Sequence, residues 1–204
     1  MTGDGELRTR SESELIAMLQ RPGPTVAEQR SIIRQLEDRG SDHSVEVLRA
    51  CAQTEPDKVA TAALTALARI GTNRATDVLI ENLSSQAGRR LFWAADLLGA
   101  VRARRAIPSL VRCLETRELH EGDRQIVILA LARLPHTSAI PVLSRELLSR
   151  NRGTRKASAF ALAQIDAPES GAALEAAASQ LSWWRGQPVR RALRRRRRQT
   201  ARHN

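Results

Sequence analysis

The residues whose side chains could do chemistry are few and widely separated in this chain of 204 residues. Cys51 and Cys113 lack the close spacing of paired zinc ligands, and the four histidines form no His-Glu-x-x-His motif. A glycine-rich phosphate loop and a Gly-x-Ser-x-Gly nucleophile motif are also missing from the sequence. We therefore predict no catalytic residue, no cofactor and no metal site. The protein is not expected to be an enzyme, although an accessory role in an enzyme complex stays open.

The composition favours a helical protein. Aromatic residues make up only 2% of the chain and tyrosine is missing, whereas β-sandwiches and barrels rely on aromatic and β-branched residues. The first ten residues lack the apolar stretch of a secretory signal, and no uncharged stretch reaches the roughly 18 residues of a membrane-spanning helix. We expect a cytoplasmic protein without a transmembrane segment.

A leucine repeat organises most of the chain. One leucine recurs at intervals of 31 to 33 residues, and a second leucine follows each of these by twelve residues. The five pairs are Leu36 and Leu48, Leu67 and Leu79, Leu98 and Leu110, Leu131 and Leu143, and Leu162 and Leu174. Apolar residues at helical spacing surround each leucine, and a helix breaker commonly follows the first group. Each repeat is therefore predicted to be a pair of helices.

Four segments of these repeats carry a family resemblance. They are AALTALARIG (62–71), AADLLGAV (94–101), AIPSLVRCL (106–114) and AIPVLSREL (139–147). They resemble the short HEAT-like repeats of the bilin-lyase (PBS lyase) type, in which an Ala-rich helix ends in a Leu-Gly or Ile-Gly step and an Ala-Ile-Pro segment opens the partner helix. The resemblance covers about residues 25 to 180. Its matching residues are packing residues, so it implies a fold more than a function.

The resemblance and the repeat together predict an all-α protein, a right-handed α-solenoid (α-α superhelix) of about five HEAT-like helix pairs. Residues 1–24 would form an N-terminal segment with a capping helix, begun by a capping box of Ser11 and Glu14. The repeat domain would cover residues 25–180, and an Arg-rich tail would cover residues 181–204. The individual repeats are predicted at about 25–54, 55–86, 87–119, 120–151 and 152–180.

The cysteines and the aromatic residues are predicted to be structural. Cys51 and Cys113 both lie three residues after the second leucine of their repeat, two repeats apart, which excludes a shared metal or a disulfide. Phe92 and Trp93 are predicted to fill gaps in the core beside small alanines. The tryptophan pair at residues 183–184 is predicted to close the core of the last repeat.

A protein partner is expected on the concave face, which the second helix of each repeat is predicted to line. The exposed positions two residues before and after each second leucine change from acidic to basic along the chain. The predicted contact residues are Glu46, Asp77, Glu81, Arg112 and Arg145. Such a charge gradient would orient a protein or peptide in a groove, and the alternative is a solvated surface.

The basic charge is concentrated at the C-terminal end. The chain has a net charge of +11, but residues 185–204 contain nine arginines and no acid, so residues 1–184, with 24 basic and 22 acidic side chains, carry +2. Self-repulsion is expected to keep most of the tail disordered or only partly helical, with a short helix at residues 188–193. The predicted polyanion-binding residues are Arg190, Arg191, Arg194, Arg195, Arg196, Arg197 and Arg198.

These observations favour a non-catalytic protein-interaction scaffold or adaptor. The alternative is a nucleic-acid-binding protein that uses the tail and the arginines of the third repeat, which are Arg89, Arg90, Arg102, Arg104, Arg105 and Arg112. The tail would also suit an anionic membrane surface or an acidic protein. A lesser alternative follows from the resemblance alone, because bilin-lyase proteins act as paired subunits on phycobiliproteins. It is an accessory subunit of a protein-modification complex.

Overall fold

Thirteen α-helices account for most of the residues described by the computed structural model, which are 4–21, 23–53, 57–84, 88–116 and 118–200. These ranges contain no strand, and they form two compact units, Met1–Val101 and Arg102–Asn204. The expected repeat boundaries near residues 54 and 86, and the last four residues of the predicted tail, lie outside the described residues. None of the described helices combines the length and the apolar character that crossing a membrane requires.

The first unit consists of α1 (Asp4–Thr9), α2 (Glu12–Gln20), α3 (Val26–Arg39), α4 (Asp42–Cys51), α5 (Asp57–Ile70), α6 (Asn73–Asn82) and α7 (Gly88–Ala100). The first helices of its repeats, α3, α5 and α7, pack against one another in one layer, and the second helices, α4 and α6, form another layer. Gly40 and Gly71 follow α3 and α5 with φ angles of 61° and 66°. A side chain would be strained there, so these two positions end their helices as the sequence predicts.

The capping helix is α2, and its predicted capping box is present. The Ser11 hydroxyl accepts a hydrogen bond from the backbone N–H of Glu14 at 3.3 Å, and the Glu14 carboxylate accepts one from the N–H of Ser11 at 2.8 Å. Glu12, the first residue of α2, accepts hydrogen bonds from the hydroxyls of Ser41 and Ser44 at the N-terminal end of α4. These bonds lower the pKa of the Glu12 carboxyl below its ordinary value of 4.5 and tie α2 to the first repeat.

The second unit consists of α8 (Ile107–Thr116), α9 (Glu121–Arg133), α10 (Ile140–Glu146), α11 (Arg152–Gln164), α12 (Pro168–Gln180) and α13 (Gln187–Thr200). Short 3-10 turns precede α8 and α10. Here α9 and α11 are first helices packed against each other, and α8, α10 and α12 are second helices. Arg124 on α9 and Glu146 on α10 form an ion pair of 2.6 Å between side chains that are only 20% and 13% exposed.

The leucine repeat coincides with the core of both units. All ten leucines predicted from the spacing are fully buried, each with 0% of its surface exposed. Burying a leucine side chain contributes about 1.5–3 kcal/mol, so these positions supply much of the packing energy. The predicted all-α solenoid of HEAT-like helix pairs is therefore confirmed.

The C-terminal segment contradicts the expectation of a mostly disordered tail. Residues Gln187–Thr200 form one helix, α13, which packs against α11 and α12. Pro188 lies in its first turn, where a missing N–H costs nothing, and Val189 on its inner side is completely buried. The repulsion between its arginines is offset because some of them bind backbone carbonyls of the neighbouring helices, as described below.

The tryptophan pair does not close the last repeat. Trp183 is 74% exposed and Trp184 is 68% exposed, so that prediction is wrong. The core is closed instead by Leu181, which is 8% exposed, and by Val189 of α13. The aliphatic side of a further helix covers more of the core than two large rings in a turn would.

Candidate binding surfaces

Three of the residues predicted to line a groove on the second helices, Glu46, Glu81 and Arg145, form ion pairs with the adjacent second helix. In the first unit, Glu46 of α4 binds Arg74 of α6 at 2.9 Å, and Glu81 of α6 binds Arg49 of α4 at 2.6 Å. Asp77 is exposed on α6. The predicted acidic end of the groove is therefore largely neutralised by arginines that the spacing argument did not consider.

The basic end of the predicted groove shows the same pattern in the second unit. Arg145 of α10 binds Glu115 of α8 at 2.8 Å, and Arg112 is exposed on α8. Exposed pairs of this kind contribute at most about 1 kcal/mol each. Within each unit these side chains link adjacent second helices, and their role toward a partner stays a prediction.

Which layer of helices is concave stays a prediction, but the first helices of each unit pack more extensively against one another than the second helices do. In the first unit α3 packs more extensively against α5 than α4 does against α6, and in the second unit α9 packs more extensively against α11 than α8 does against α10. Helices approach one another closely only where small side chains lie between them. Buried alanines on these helices, such as Ala60, Ala63 and Ala94, permit that approach.

A cleft of about 500 Å³ crosses the layer of first helices in the first unit and is lined by α3, α5 and α7. Thr61, Ala62 and Thr65 of α5 lie in its middle helix, and the half-buried Trp93 lies on α7. Its charged lining residues are Arg30, Arg34, Glu37, Asp57, Lys58, Arg69 and Arg89. Five of these are basic and two are acidic, so the described lining carries a net charge of +3.

Both acidic side chains of the cleft are already engaged. Glu37 of α3 binds Arg69 of α5 at 3.0 Å, and Asp57 of α5 binds Arg89 of α7 at 3.0 Å. These pairs link the three helices that line the cleft. The charge that the cleft offers to a ligand is therefore positive.

The prediction that Phe92 and Trp93 fill core gaps is wrong for Phe92, which is 37% exposed. The two rings meet edge to face, with centroids 5.8 Å apart and planes at 85°. Trp93 lines the cleft instead of the centre of the core. Trp93 lies on a first helix, and the packing of the first helices against one another places it in the cleft.

The arginines of the predicted tail fall into two sets on α13. Arg190 donates hydrogen bonds to the carbonyls of Ala178, Leu181 and Trp183 at 2.8–3.2 Å, and Arg196 donates to those of Ile165 and Ala167. These acceptors lie at the C-terminal end of α12, in the turn that follows it, and in the turn between α11 and α12. Arg190 and Arg196 therefore attach α13 to the repeat.

The other arginines of α13 do not bind these carbonyl groups. Arg197 binds the exposed Glu175 of α12 at 3.0 Å. Arg191, Arg194, Arg195 and Arg198 are exposed, and their spacing places them along one side of the helix. The predicted polyanion-binding set is thus divided by the structure, and four of its seven members form a continuous basic stripe.

Two grooves flank this stripe. A groove of about 500 Å³ between α11 and α13 is lined by Arg152, Lys156, Phe160, Arg191 and Arg195, together with small and apolar residues. A second groove, of about 760 Å³, lies on the other side of the stripe beside Trp183. No acidic side chain is found among the described residues that line either groove.

The third-repeat arginines are divided between the two units. Arg89 binds Asp57, and Arg90 donates to the backbone carbonyl of Gln53 at 3.0 Å, so both engage groups of the first unit. Arg104 is an exposed residue of the second unit. The alternative function thus depends on α13 and its grooves.

The cysteines show no sign of reactivity. Cys51 and Cys113 are buried, and burial raises the pKa of the Cys51 thiol to about 11. Within the described ranges, no group of three or more His, Cys, Asp or Glu side chains is placed to hold a metal ion.

Stacked helix pairs with fully buried leucines at a fixed spacing define an all-α repeat protein of the solenoid class. Two family models match the chain, HEAT repeats over residues 12–97 and the PBS lyase HEAT-like repeat over residues 91–116. These matches support a HEAT-like repeat protein of the PBS lyase repeat type. No curated protein sequence matches it.

Solved structures show the same fold at low identity. The complex of CpcE and CpcF of phycocyanin lyase from Nostoc sp. PCC7120 is 20% identical, with 89% of this chain and 75% of that chain covered and a TM-score of 0.58. A designed armadillo repeat protein in complex with the peptide (KR)4 is 18% identical, with 90% and 100% covered and a TM-score of 0.55. An engineered protein is 20% identical, with 90% and 95% covered and a TM-score of 0.54. At these identities the likeness concerns the fold alone.

Proposed function

We propose that this protein is a non-catalytic scaffold that binds an acidic segment of a partner protein in the cleft of its first unit. The observation that carries the proposal is the cleft itself, which crosses three consecutive first helices, α3, α5 and α7. A ligand lying across several repeats gains contacts from each of them, so an extended segment suits this surface better than a small molecule does.

The charges of the cleft support an acidic segment. Glu37 and Asp57 are paired with Arg69 and Arg89, and Lys58 is exposed on the middle helix. A partner's carboxylates would meet this positive lining, and Trp93 would provide an apolar contact at the α7 end. The designed armadillo protein bound to (KR)4 supports the general mode with the opposite charge, since its peptide is basic.

The test is site-specific photo-crosslinking of the full-length protein in native lysate. A photo-crosslinking phenylalanine derivative replaces Ala62 in the cleft or, as the matched control, Ala50 on the exposed surface of α4. We expect one partner protein to be crosslinked in every repeat of the experiment from position 62 and not from position 50. The exchange Lys58→Glu should reduce the yield at position 62 at least several-fold, because it reverses a charge in the cleft.

The competing hypothesis of a groove on the second helices is tested in the same assay. The double exchange Arg112→Glu and Arg145→Glu should leave the crosslink from position 62 unchanged. Loss of the partner from this variant, with no effect of Lys58→Glu, would return the binding site to the second helices.

The accessory-subunit hypothesis rests on less. The family model and the likeness to the CpcE and CpcF complex support it through the fold, and none of the described contacts favours a modification complex over another partner. Identification of the crosslinked protein as a subunit of a modifying enzyme would support it.

A further inference from the structure

We propose that α11 and α13 of the second unit form a binding surface for single-stranded nucleic acid. This surface is separate from the cleft of the first unit and does not depend on the function proposed for it. It consists of the basic stripe of α13, the basic residues Arg152 and Lys156 of α11, and the aromatic rings of Phe160 and Trp183.

The surface is strongly basic. Arg191, Arg194, Arg195 and Arg198 lie along about 10 Å of one side of α13, at the helical rise of about 1.5 Å per residue. Across the groove, the exposed Arg152 and Lys156 are one turn apart on α11. Two rows of cations on neighbouring helices, with no acid among the described lining residues, match a chain of closely spaced anions.

Two exposed aromatic rings, those of Phe160 and Trp183, lie beside these arginines. Phe160 is 39% exposed in the groove between α11 and α13, and the guanidinium of Arg195 lies 5.6 Å from the centre of its ring. Trp183 is 74% exposed in the groove on the other side of the stripe. Flat rings beside arginines are the combination that binds single strands, because bases stack on the rings and phosphates pair with the guanidinium groups.

Two other ligands, duplex nucleic acid and an acidic peptide, suit this surface less well. In a duplex the bases already stack on one another, so the rings of Phe160 and Trp183 would gain no partner. The carboxylates of an acidic peptide would neutralise the arginines equally well but supply no aromatic ring to stack on Phe160 and Trp183. The exposed aromatic residues therefore favour a single strand.

The arginines that would bind a ligand are different from those that attach α13 to the repeat. Arg190 and Arg196 are occupied by backbone carbonyls, whereas the four stripe arginines are exposed. Removing stripe arginines should thus change binding without unfolding the helix. This division makes the proposal testable with single-residue changes in the full-length protein.

The experiment measures fluorescence anisotropy of a labelled single-stranded twelve-nucleotide DNA between 50 and 300 mM salt. Contact with four phosphates predicts a slope of log K against log salt of about −3, from about −0.7 per phosphate on a single strand. The double variant Arg191→Gln with Arg195→Gln should bind about tenfold more weakly and reduce the slope by about 1.4. The same oligonucleotide as RNA shows whether the surface prefers one sugar.

The matched control is Arg8→Gln with Arg21→Gln, which removes the same charge at exposed positions that line neither groove. It should leave the affinity within about twofold of the wild-type value. Phe160→Leu keeps the apolar volume but removes the ring, and should weaken binding about fivefold or more.

Three outcomes would overturn the proposal. They are an affinity for duplex DNA equal to that for the strand, an equal loss in the control variant, and equal competition by polyglutamate or anionic vesicles at the same charge concentration. The last outcome would assign the surface to an acidic protein or a membrane. Circular dichroism of each variant shows that α13 is retained.

Discussion

The exchange Arg196→Gln tests whether α13 is part of the folded repeat or only an appended helix. The Arg196 guanidinium donates hydrogen bonds to the carbonyl oxygens of Ile165 and Ala167, which lie between α11 and α12. A hydrogen bond to a charged group contributes about 1.5–3 kcal/mol. Because Arg196 is only half-buried and the Ser170 hydroxyl also donates to both carbonyls, we expect the two bonds together to contribute about 2 kcal/mol to the free energy of unfolding.

The assay is thermal unfolding followed by circular dichroism, with urea unfolding as a second measurement. In a chain of this length a loss of about 2 kcal/mol lowers Tm by about 4–8 °C. Arg195→Gln is the matched control, because it removes the same charge from the next position, where the side chain is exposed and contacts the Phe160 ring. We expect its Tm to stay within about 2 °C of the wild-type value. A wild-type Tm for the Arg196 variant, or an equal loss in both variants, would refute the docking role of Arg196.

Three further results are expected. Glu12→Ala should lower the free energy of unfolding by about 1 kcal/mol at pH 7, because two serine hydroxyls lose their acceptor. Since the folded state lowers the pKa of Glu12, its contribution is complete above the ordinary value of 4.5 and disappears as the pH falls through the lowered pKa, so the difference in urea midpoint should shrink below pH 4.5. Cys51 and Cys113 should react with a thiol reagent at pH 8 only after denaturation, and rapid labelling of the native protein would contradict their burial. Arg124→Ala should cost about 1–2 kcal/mol in urea unfolding because it leaves the half-buried carboxylate of Glu146 without its ion pair, and an unchanged midpoint would contradict that role.

The repeat architecture could be predicted from the sequence because each repeat encodes its own packing. A leucine every 31 to 33 residues, and another twelve residues later, fixes which side of each helix is buried without reference to distant parts of the chain. The capping box is equally local, since Ser11 and Glu14 lie three residues apart. The helix pairs, their buried leucines and the capping box, which depend on spacing within one or two helices, were predicted correctly.

The binding surfaces could not be predicted in the same way because they depend on how helices from different repeats meet. In α13 five consecutive arginines, residues 194–198, put a cation on every side of the helix, so no periodicity distinguishes Arg196 from Arg195. Their roles are decided by the carbonyl groups at the ends of α11 and α12. The position of Trp93 in a cleft likewise follows from the close packing of first helices, which a single repeat does not reveal.

The two sides of α13 have a consequence for the behaviour of the protein at high concentration. A stack of helix pairs that stopped at α12 would present an apolar end to any other molecule with a matching end, and such ends adhere. The inner side of α13, with Val189, occupies that surface. Its outer side carries Arg191, Arg194, Arg195 and Arg198, so two molecules that approach through these ends repel each other. The same helix that seals the last repeat thus also opposes contact between two molecules through their C-terminal ends.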